Sequence, residues 1–120
     1  TNTYNLRNDY GAVTLWDAVD GDFAETGRQF IGLVMGDHSK CAIDTQFNTG
    51  TVVGVSCNLY GAGFHDRRIP SFTWATPEKA VEYRTEKALH VAEAVMARRD
   101  RELTEADRAL LLSIHAETHA

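Results

Sequence analysis

The sequence predicts a mainly β protein: a parallel β-helix made of six-residue repeats, with an inserted loop and a C-terminal α-helical hairpin. Its first sign is a series of large inward-type residues spaced six apart: Met35, Cys41, Phe47, Val53 and Leu59. Smaller residues stand four positions after the first four of these: Ser39, Thr45, Thr51 and Cys57. Three six-residue units, roughly 18 residues, form one turn of a triangular coil. A helix repeats its apolar face every 3.6 residues and a simple strand every two, so neither explains this spacing.

Residues 1–63 are predicted to form the partial β-helix, with a loop insertion at about residues 8–28. The first eight residues are polar apart from Leu6, which is typical of a coil corner. Residues 11–16 alternate as a strand, with Val13 and Leu15 on one face. An acidic segment follows and ends at Gly27, and it is either a binding loop or a solvated hairpin tip. Because an exposed solenoid end needs a cap, we expect further coils upstream in a longer protein.

The period breaks at Gly61 and Gly63, so the β-helix is expected to end there. Residues 64–84 are predicted to be an extended connector that lies along the surface, with a short strand within residues 80–84. Residues 85–120 are predicted to be a two-helix extension. Thr85 is the expected N-cap of a helix that runs to about Arg101, and Thr104 is the expected N-cap of the second helix. This helix pair is expected to close the open end of the solenoid or to pack on a neighbouring subunit.

Composition restricts the possible functions. The chain has 120 residues, 43% apolar and 24% charged, which fits one globular domain. A net charge of −5 disfavours a nucleic-acid partner. The longest apolar runs are far shorter than the roughly 18 residues that a membrane span needs. Cys41 and Cys57 are 16 positions apart, so they are not stacked in successive coils and are expected to be free thiols in a reducing cytoplasm.

Residues 27–50, GRQFIGLVMGDHSKCAIDTQFNTG, together with the opening TNTYNLRN, resemble a known family. This is the C-terminal left-handed β-helix of sugar-1-phosphate nucleotidyltransferases related to the bifunctional N-acetylglucosamine-1-phosphate uridylyltransferase. The resemblance covers roughly residues 1–63 and depends mainly on the GDHxKxxI pattern and the preceding TNTYN. The helical tail resembles an extension that some members carry.

The resemblance implies a cytoplasmic, homotrimeric acyltransferase domain that moves an acetyl group from acetyl-CoA to the amine of an amino-sugar 1-phosphate. An upstream nucleotidyltransferase domain, outside this chain, would use the sugar phosphate, a nucleoside triphosphate and Mg²⁺. The family's catalytic base is a histidine that precedes the TNTYN stretch and also lies outside this chain. The resemblance therefore implies no catalytic residue within these 120 positions, and the fragment alone is expected to be inactive.

The resemblance also implies contacts with substrate and acetyl-CoA. Asn5 matches an asparagine beside both sites, and its amide can donate and accept hydrogen bonds, although a corner asparagine also commonly satisfies the backbone. The resemblance also implies that basic side chains contact the CoA phosphates and that some backbone positions line a groove between subunits. The other implied contact residues are Thr3, Tyr4, His38, Lys40, Ile43 and Gly61. Arg7 and Arg28 are further candidates for phosphate contacts.

Two alternatives to acyl transfer would use the same solenoid. One is a non-catalytic β-helix that trimerises or regulates a sugar-phosphate nucleotidyltransferase. The other is a carbonic-anhydrase-like hydratase, which needs three histidines around a metal. His38 and His65 are 27 positions apart, one and a half coils, and so are expected on different sides of the triangle. The spacing therefore disfavours the hydratase and no metal site is expected.

Overall fold

The computed structural model describes residues 1–119 and shows a mixed α/β chain, with many short strands in small sheets followed by a C-terminal pair of helices. The strands are β1 (Asn2–Thr3), β2 (Val13–Asp17), β3 (Asp22–Arg28), β4 (Leu33–Met35), β5 (Lys40–Cys41), β6 (Gln46–Phe47), β7 (Thr51–Val53), β8 (Asn58–Leu59), β9 (Arg68–Ile69), β10 (Thr73–Ala75) and β11 (Ala80–Glu82). The helices are α1 (Thr85–Ala97) and α2 (Glu105–Thr118). Neither helix within residues 1–119 has the length and apolar character needed to cross a membrane.

The short strands pair in parallel at a fixed offset. Strand β4 pairs with β7, with Leu33 opposite Thr51, and β5 pairs with β8, with Cys41 opposite Leu59. Both pairs are therefore offset by three of the six-residue units, and a single parallel bridge between Gln46 and Phe64 has the same offset. Strand β1 pairs in parallel with β6 across a longer interval because the inserted segment lies between them. The six-residue spacing in the sequence thus corresponds to strands that pair with the strand three units further along the chain.

Parallel pairing continues beyond Gly63, which corrects the prediction that residues 64–84 are an extended connector. Strand β9 pairs with β7, with Ile69 opposite Val53, and β10 pairs with β8, with Ala75 opposite Leu59. Both offsets fall two positions short of three full units, so the turn is shorter while the pairing is kept. The repeat breaks in the sequence because turn length changed, whereas pairing needs only extended backbone and inward apolar residues. The chain reverses at β11, which is antiparallel to β10 and lies within the predicted strand region.

The stacked strands enclose a core formed by the predicted inward residues. Phe47, Val53 and Leu59 are buried, and Met35 and Cys41 pack against the same cluster. The small inward positions also carry buried hydroxyls. Thr45 donates to the carbonyl of Ala42 at 2.7 Å, and Thr51 donates to the carbonyl of Asn48 at 2.6 Å. These bonds let polar side chains lie inside the stack without unsatisfied groups.

The inserted segment is an ordered antiparallel hairpin of β2 and β3, with the acidic residues at its tip. Two arginines hold it against the stacked strands. The Arg67 guanidinium donates to the backbone carbonyl and hydroxyl of Thr14 and lies 4.7 Å from the centre of the Phe23 ring. Arg68 lies 4.3 Å from the centre of the Trp16 ring. Cation–π contacts of this kind favour a fixed hairpin position.

The helices differ from the prediction at one cap. Helix α1 has Arg84 as its N-cap, with no side-chain cap bond, so the prediction that Thr85 caps it was wrong. It ends at Ala97 rather than near Arg101, because Asp100 adopts a left-handed φ of 55° and turns the chain. Thr104 does cap α2 and forms a reciprocal capping box with Asp107.

Both helices pack on their own chain. Buried residues of α1 and α2 form a second core cluster with Phe72 and Tyr83, against which Val55 and Trp74 also pack. Val55 and Phe72 belong to successive turns of the stacked strands, and the Phe72 N–H donates to the Val55 carbonyl at 2.8 Å. The helix pair therefore covers one corner of the strand stack.

Candidate functional site

The candidate contact residues lie in three places along the stack. Thr3, Tyr4 and Asn5 are at the end of β1, and His38 is in the turn between β4 and β5. The third place is the sheet that contains β5, β8 and β10. Lys40 lies within β5, and Ile43 and Gly61 come just after β5 and β8.

The corner at Asn5 is built by backbone pairing. The Tyr4 N–H donates to the Phe47 carbonyl at 3.1 Å, and the Asn5 carbonyl accepts from the Ile31 N–H at 3.1 Å. The second bond joins the two ends of the hairpin insertion. The Tyr4 ring stacks on Phe64 with 5.5 Å between ring centres. The Asn5 carboxamide is exposed and makes no hydrogen bond within residues 1–119, so it is free to contact a ligand.

His38 is an exposed turn residue. Its φ of 62° places it in the left-handed region that tight turns use. The preceding Asp37 carbonyl accepts from the Ser56 N–H at 2.9 Å, which fixes the turn to the next strand layer. His38 does not line the groove described next.

Lys40 lines a groove of about 510 Å³ between the outer face of the sheet and helix α1. Register places Lys40 beside Asn58, and Asn58 beside Trp74, so these three side chains form one column. Helix α1 and the residues before it supply the opposite wall, which consists of Tyr83, Glu86, Lys87, His90 and Val91. The groove volume lies in the range typical of small-molecule sites.

The groove combines aromatic rings with two positive side chains. The Trp74 Nε1–H donates to the Tyr60 hydroxyl at 3.2 Å, and the Trp74 ring packs edge-on against Tyr83 at 5.1 Å. Burial raises the pKa of Tyr83, which strengthens the preference of its phenol for the neutral form. Lys40 and Lys87 outweigh the single carboxylate of Glu86. The arrangement suits a ligand that has a flat ring and anionic groups.

Ile43 and Gly61 occupy equivalent positions in successive layers, just beyond β5 and β8. Ile43 is 93% exposed. Gly61 has a φ of 93°, and a Cβ there would lie 3.2 Å from atoms of Thr76 and Pro77. The neighbouring N–H of Ala42 donates to the Leu59 carbonyl, so the backbone beside Ile43 is already paired within the chain.

Arg7 and Arg28, the other candidates for phosphate contacts, lie at the hairpin and do not line the groove. Arg7 pairs with Asp9 at 2.8 Å. Arg28 is an exposed residue at the end of β3.

Several groove residues have no equivalent among the sequence-based candidates. Trp74 and Tyr83 fall in the segment that the broken period predicts to be a connector, and Lys87 lies on the helix. The sequence held one signal for Trp74: this residue follows its pairing partner Asn58 by slightly less than three six-residue units. The approach of α1 to the sheet has no signature in the local sequence.

The two cysteines lie within the strand stack, where Cys41 is half-buried and Cys57 is buried. Cys41 and Cys57 are free thiols, as predicted. Burial raises the pKa of Cys57, which keeps its thiol protonated and unreactive. Among residues 1–119, no group of three or more His, Cys, Asp or Glu side chains is arranged to hold a metal ion.

Comparison of the chain with models of protein families, with curated proteins and with solved structures found no match.

Proposed function

We propose that the parallel sheets are the sides of a partial left-handed β-helix, and that the chain is part of an acetyl-CoA-dependent N-acetyltransferase-like domain. Its substrate would be an amino-sugar 1-phosphate, and the full protein would carry a nucleotidyltransferase domain and form a homotrimer. The register of β4 on β7 and of β5 on β8 supports the β-helix, because each pair is offset by the three six-residue sides of one triangular coil.

The groove beside Lys40 is the observation that carries the functional proposal. Acetyl-CoA has an adenine ring and several phosphates, and the groove offers Trp74 and Tyr83 next to Lys40 and Lys87. Aromatic side chains favour stacking with a flat ring, and ammonium groups form charge-assisted hydrogen bonds with phosphate oxygens. Ile43 and Gly61 lie just beyond the same sheet, where the extended part of the ligand would pass.

Asn5 is the best candidate for a contact with the reacting groups. Acyl transfer needs a base that removes a proton from the attacking amine and a donor that stabilises the oxyanion. The exposed Asn5 carboxamide can donate to an oxyanion but cannot act as a base. Thr3 and Tyr4 are its immediate neighbours and are exposed as well. We therefore propose that this chain binds and orients substrates, and that the base comes from outside it.

Calorimetry with acetyl-CoA tests the binding proposal directly. We expect saturable heat, and Lys40→Gln and Lys87→Gln should each weaken binding by about tenfold, the effect of losing one charge-assisted hydrogen bond. Lys79→Gln is the matched control, because Lys79 is an exposed lysine that does not line this groove. Absence of heat from acetyl-CoA, together with no competition by CoA, would refute the proposal. In the full protein, acetyl transfer to glucosamine 1-phosphate should fall with Asn5→Ala.

The second candidate is a non-catalytic β-helix that trimerises or regulates a sugar-phosphate nucleotidyltransferase. Its support is the exposure of apolar side chains along the strand stack: Ile43 is 93% exposed, Val34 47% and Tyr60 40%. Apolar side chains at this exposure are suited to contacts between subunits. A trimer in size-exclusion chromatography with light scattering, combined with no acetyl-CoA binding, would favour this candidate.

A further inference from the structure

A second cavity, of about 390 Å³, lies on the hairpin side of the strand stack. Arg7 and Arg67 both line it, together with Tyr4, Asn48 and Thr49. Arg7 belongs to the start of the insertion and Arg67 to the segment before β9, so two distant parts of the chain supply guanidinium groups to one space.

The two guanidinium groups repel each other. Burial lowers the pKa of Arg67, and the positive charge of Arg7 lowers it further. One carboxylate is present, since Asp9 also lines the cavity and pairs with Arg7 at 2.8 Å. Asp9 is bound locally on both oxygens, because its other oxygen accepts from the Gly11 N–H at 3.0 Å. Two arginines and one aspartate leave a net positive charge in the cavity.

Arg67 is held in place and still has donor capacity. Its Nη2 atom donates to Thr14, and its guanidinium packs on the Phe23 ring. Its Nε atom is buried and has no hydrogen-bond partner within residues 1–119. Because Nε is buried, a ligand in the cavity would reach the guanidinium through its other N–H groups, and a guanidinium that is already fixed loses little freedom when it binds an anion.

We propose that this cavity binds a phosphate group. A phosphate between Arg7 and Arg67 removes their repulsion, and its oxygens can accept from guanidinium N–H groups in the geometry that arginine favours. Tyr4 and Asn48 add neutral hydrogen-bonding groups to the lining. The volume exceeds that of a phosphate ion, so the ligand is either inorganic phosphate or a phosphate monoester with a small organic group. This inference does not depend on acyl transfer or on the Lys40 groove.

Two-dimensional ¹H–¹⁵N NMR tests the site with two probes, inorganic phosphate and glucose 1-phosphate, at constant ionic strength. We expect saturable shifts of the Tyr4, Asn48 and Thr49 amide signals at millimolar or lower ligand. Arg7→Gln should weaken binding by about tenfold or more, because a hydrogen bond to a charged group is lost. Arg101→Gln is the matched control, since Arg101 is an exposed arginine outside the cavity. Arg7 is half-exposed in side chain, and the spectrum of the variant will show directly that it is folded.

The outcomes either identify the class of ligand or overturn the proposal. Tighter binding of glucose 1-phosphate than of phosphate identifies a phosphate monoester as the ligand class, and equal binding identifies the phosphate group alone. Linear shifts without saturation up to about 20 mM of either probe, a range that covers millimolar affinity, would overturn the proposal. Equal weakening by Arg7→Gln and Arg101→Gln would also overturn it, because the effect would then be one of net charge. Failure of acetyl-CoA binding would leave these results unaffected.

Discussion

Gly36 and Gly54 lie where successive layers of the stack approach too closely for a side chain. They occupy equivalent positions in two layers, directly after Met35 and Val53, which pair with each other. A Cβ on Gly54 would lie 2.5 Å from the backbone nitrogen of Ser71 and 2.7 Å from its Cα. A Cβ on Gly36 would lie 2.7 Å from the Gly54 carbonyl oxygen. Because these obstructing atoms are backbone, relief requires the layers to move apart.

Gly54→Ala is therefore expected to destabilise the fold by about 1–3 kcal/mol, the usual cost of forcing extra atoms into a packed interior. The upper half of that range is expected because two hydrogen bonds span the same contact. The Gly54 N–H donates to the Ile69 carbonyl at 2.8 Å, and the Val55 N–H donates to the Ser71 hydroxyl at 2.9 Å. Separation of the layers lengthens both bonds.

Urea denaturation followed by circular dichroism measures this cost. Gly11→Ala is the matched control: its φ is not left-handed, and its Cβ would approach only side-chain atoms of the exposed Asp9, the nearest at 3.1 Å, and no backbone atom. Both variants restrict the unfolded chain in the same way, so their difference reports the folded-state clash. We expect Gly11→Ala to lie within about 0.5 kcal/mol of the parent. If the two variants have equal midpoints and equal m-values, the close approach of the layers is refuted.

Three further predictions concern the core, a helix cap and a buried histidine. Phe47→Ala should destabilise the fold by about 3–5 kcal/mol in urea, because this side chain is fully buried. Thr104→Ala should cost about 1 kcal/mol in thermal unfolding, whereas Thr85→Ala should cost much less, since only Thr104 makes a cap bond. Burial lowers the pKa of His65 below 6.5, so the unfolded chain binds a proton that the folded chain does not. Stability measured against pH should therefore fall as pH drops below about 6.5, and His65→Gln should reduce this slope.

The interior of the stack was predictable from the sequence because spacing encodes it. The spacing predicts that the residue at every sixth position faces inward, and Phe47, Val53 and Leu59 are buried as predicted. The end of the stack was not predictable in the same way. A shorter turn before β9 removes the period, yet Ile69 still pairs opposite Val53. Strands can still pair when the turn between them is shorter, but the six-residue period in the sequence is then lost.

The candidate site was predictable only where one segment supplies it. Lys40 and the corner at Asn5 follow from short motifs. Trp74 and Tyr83 join Lys40 only because the chain reverses at β11 and returns as helix α1 over the sheet. That approach is stabilised by contacts between distant residues, such as the packing of Phe72 against the helices. No local pattern in the sequence specifies which outer face a helix pair will cover.

Both cavities form where the chain departs from its repeat. The hairpin insertion brings Arg7 to one cavity, and the shortened turn before β9 brings Arg67 to the same place. The reversal after β10 creates the groove beside Lys40. Regular layers present flat strands whose backbone groups are paired, and such surfaces offer little concave space for a ligand. Segments that depart from the period add side chains to the walls of the cavities without disturbing the core. We therefore expect substitutions at Arg7 or Lys87 to change ligand binding and to leave the midpoint of urea unfolding nearly unchanged.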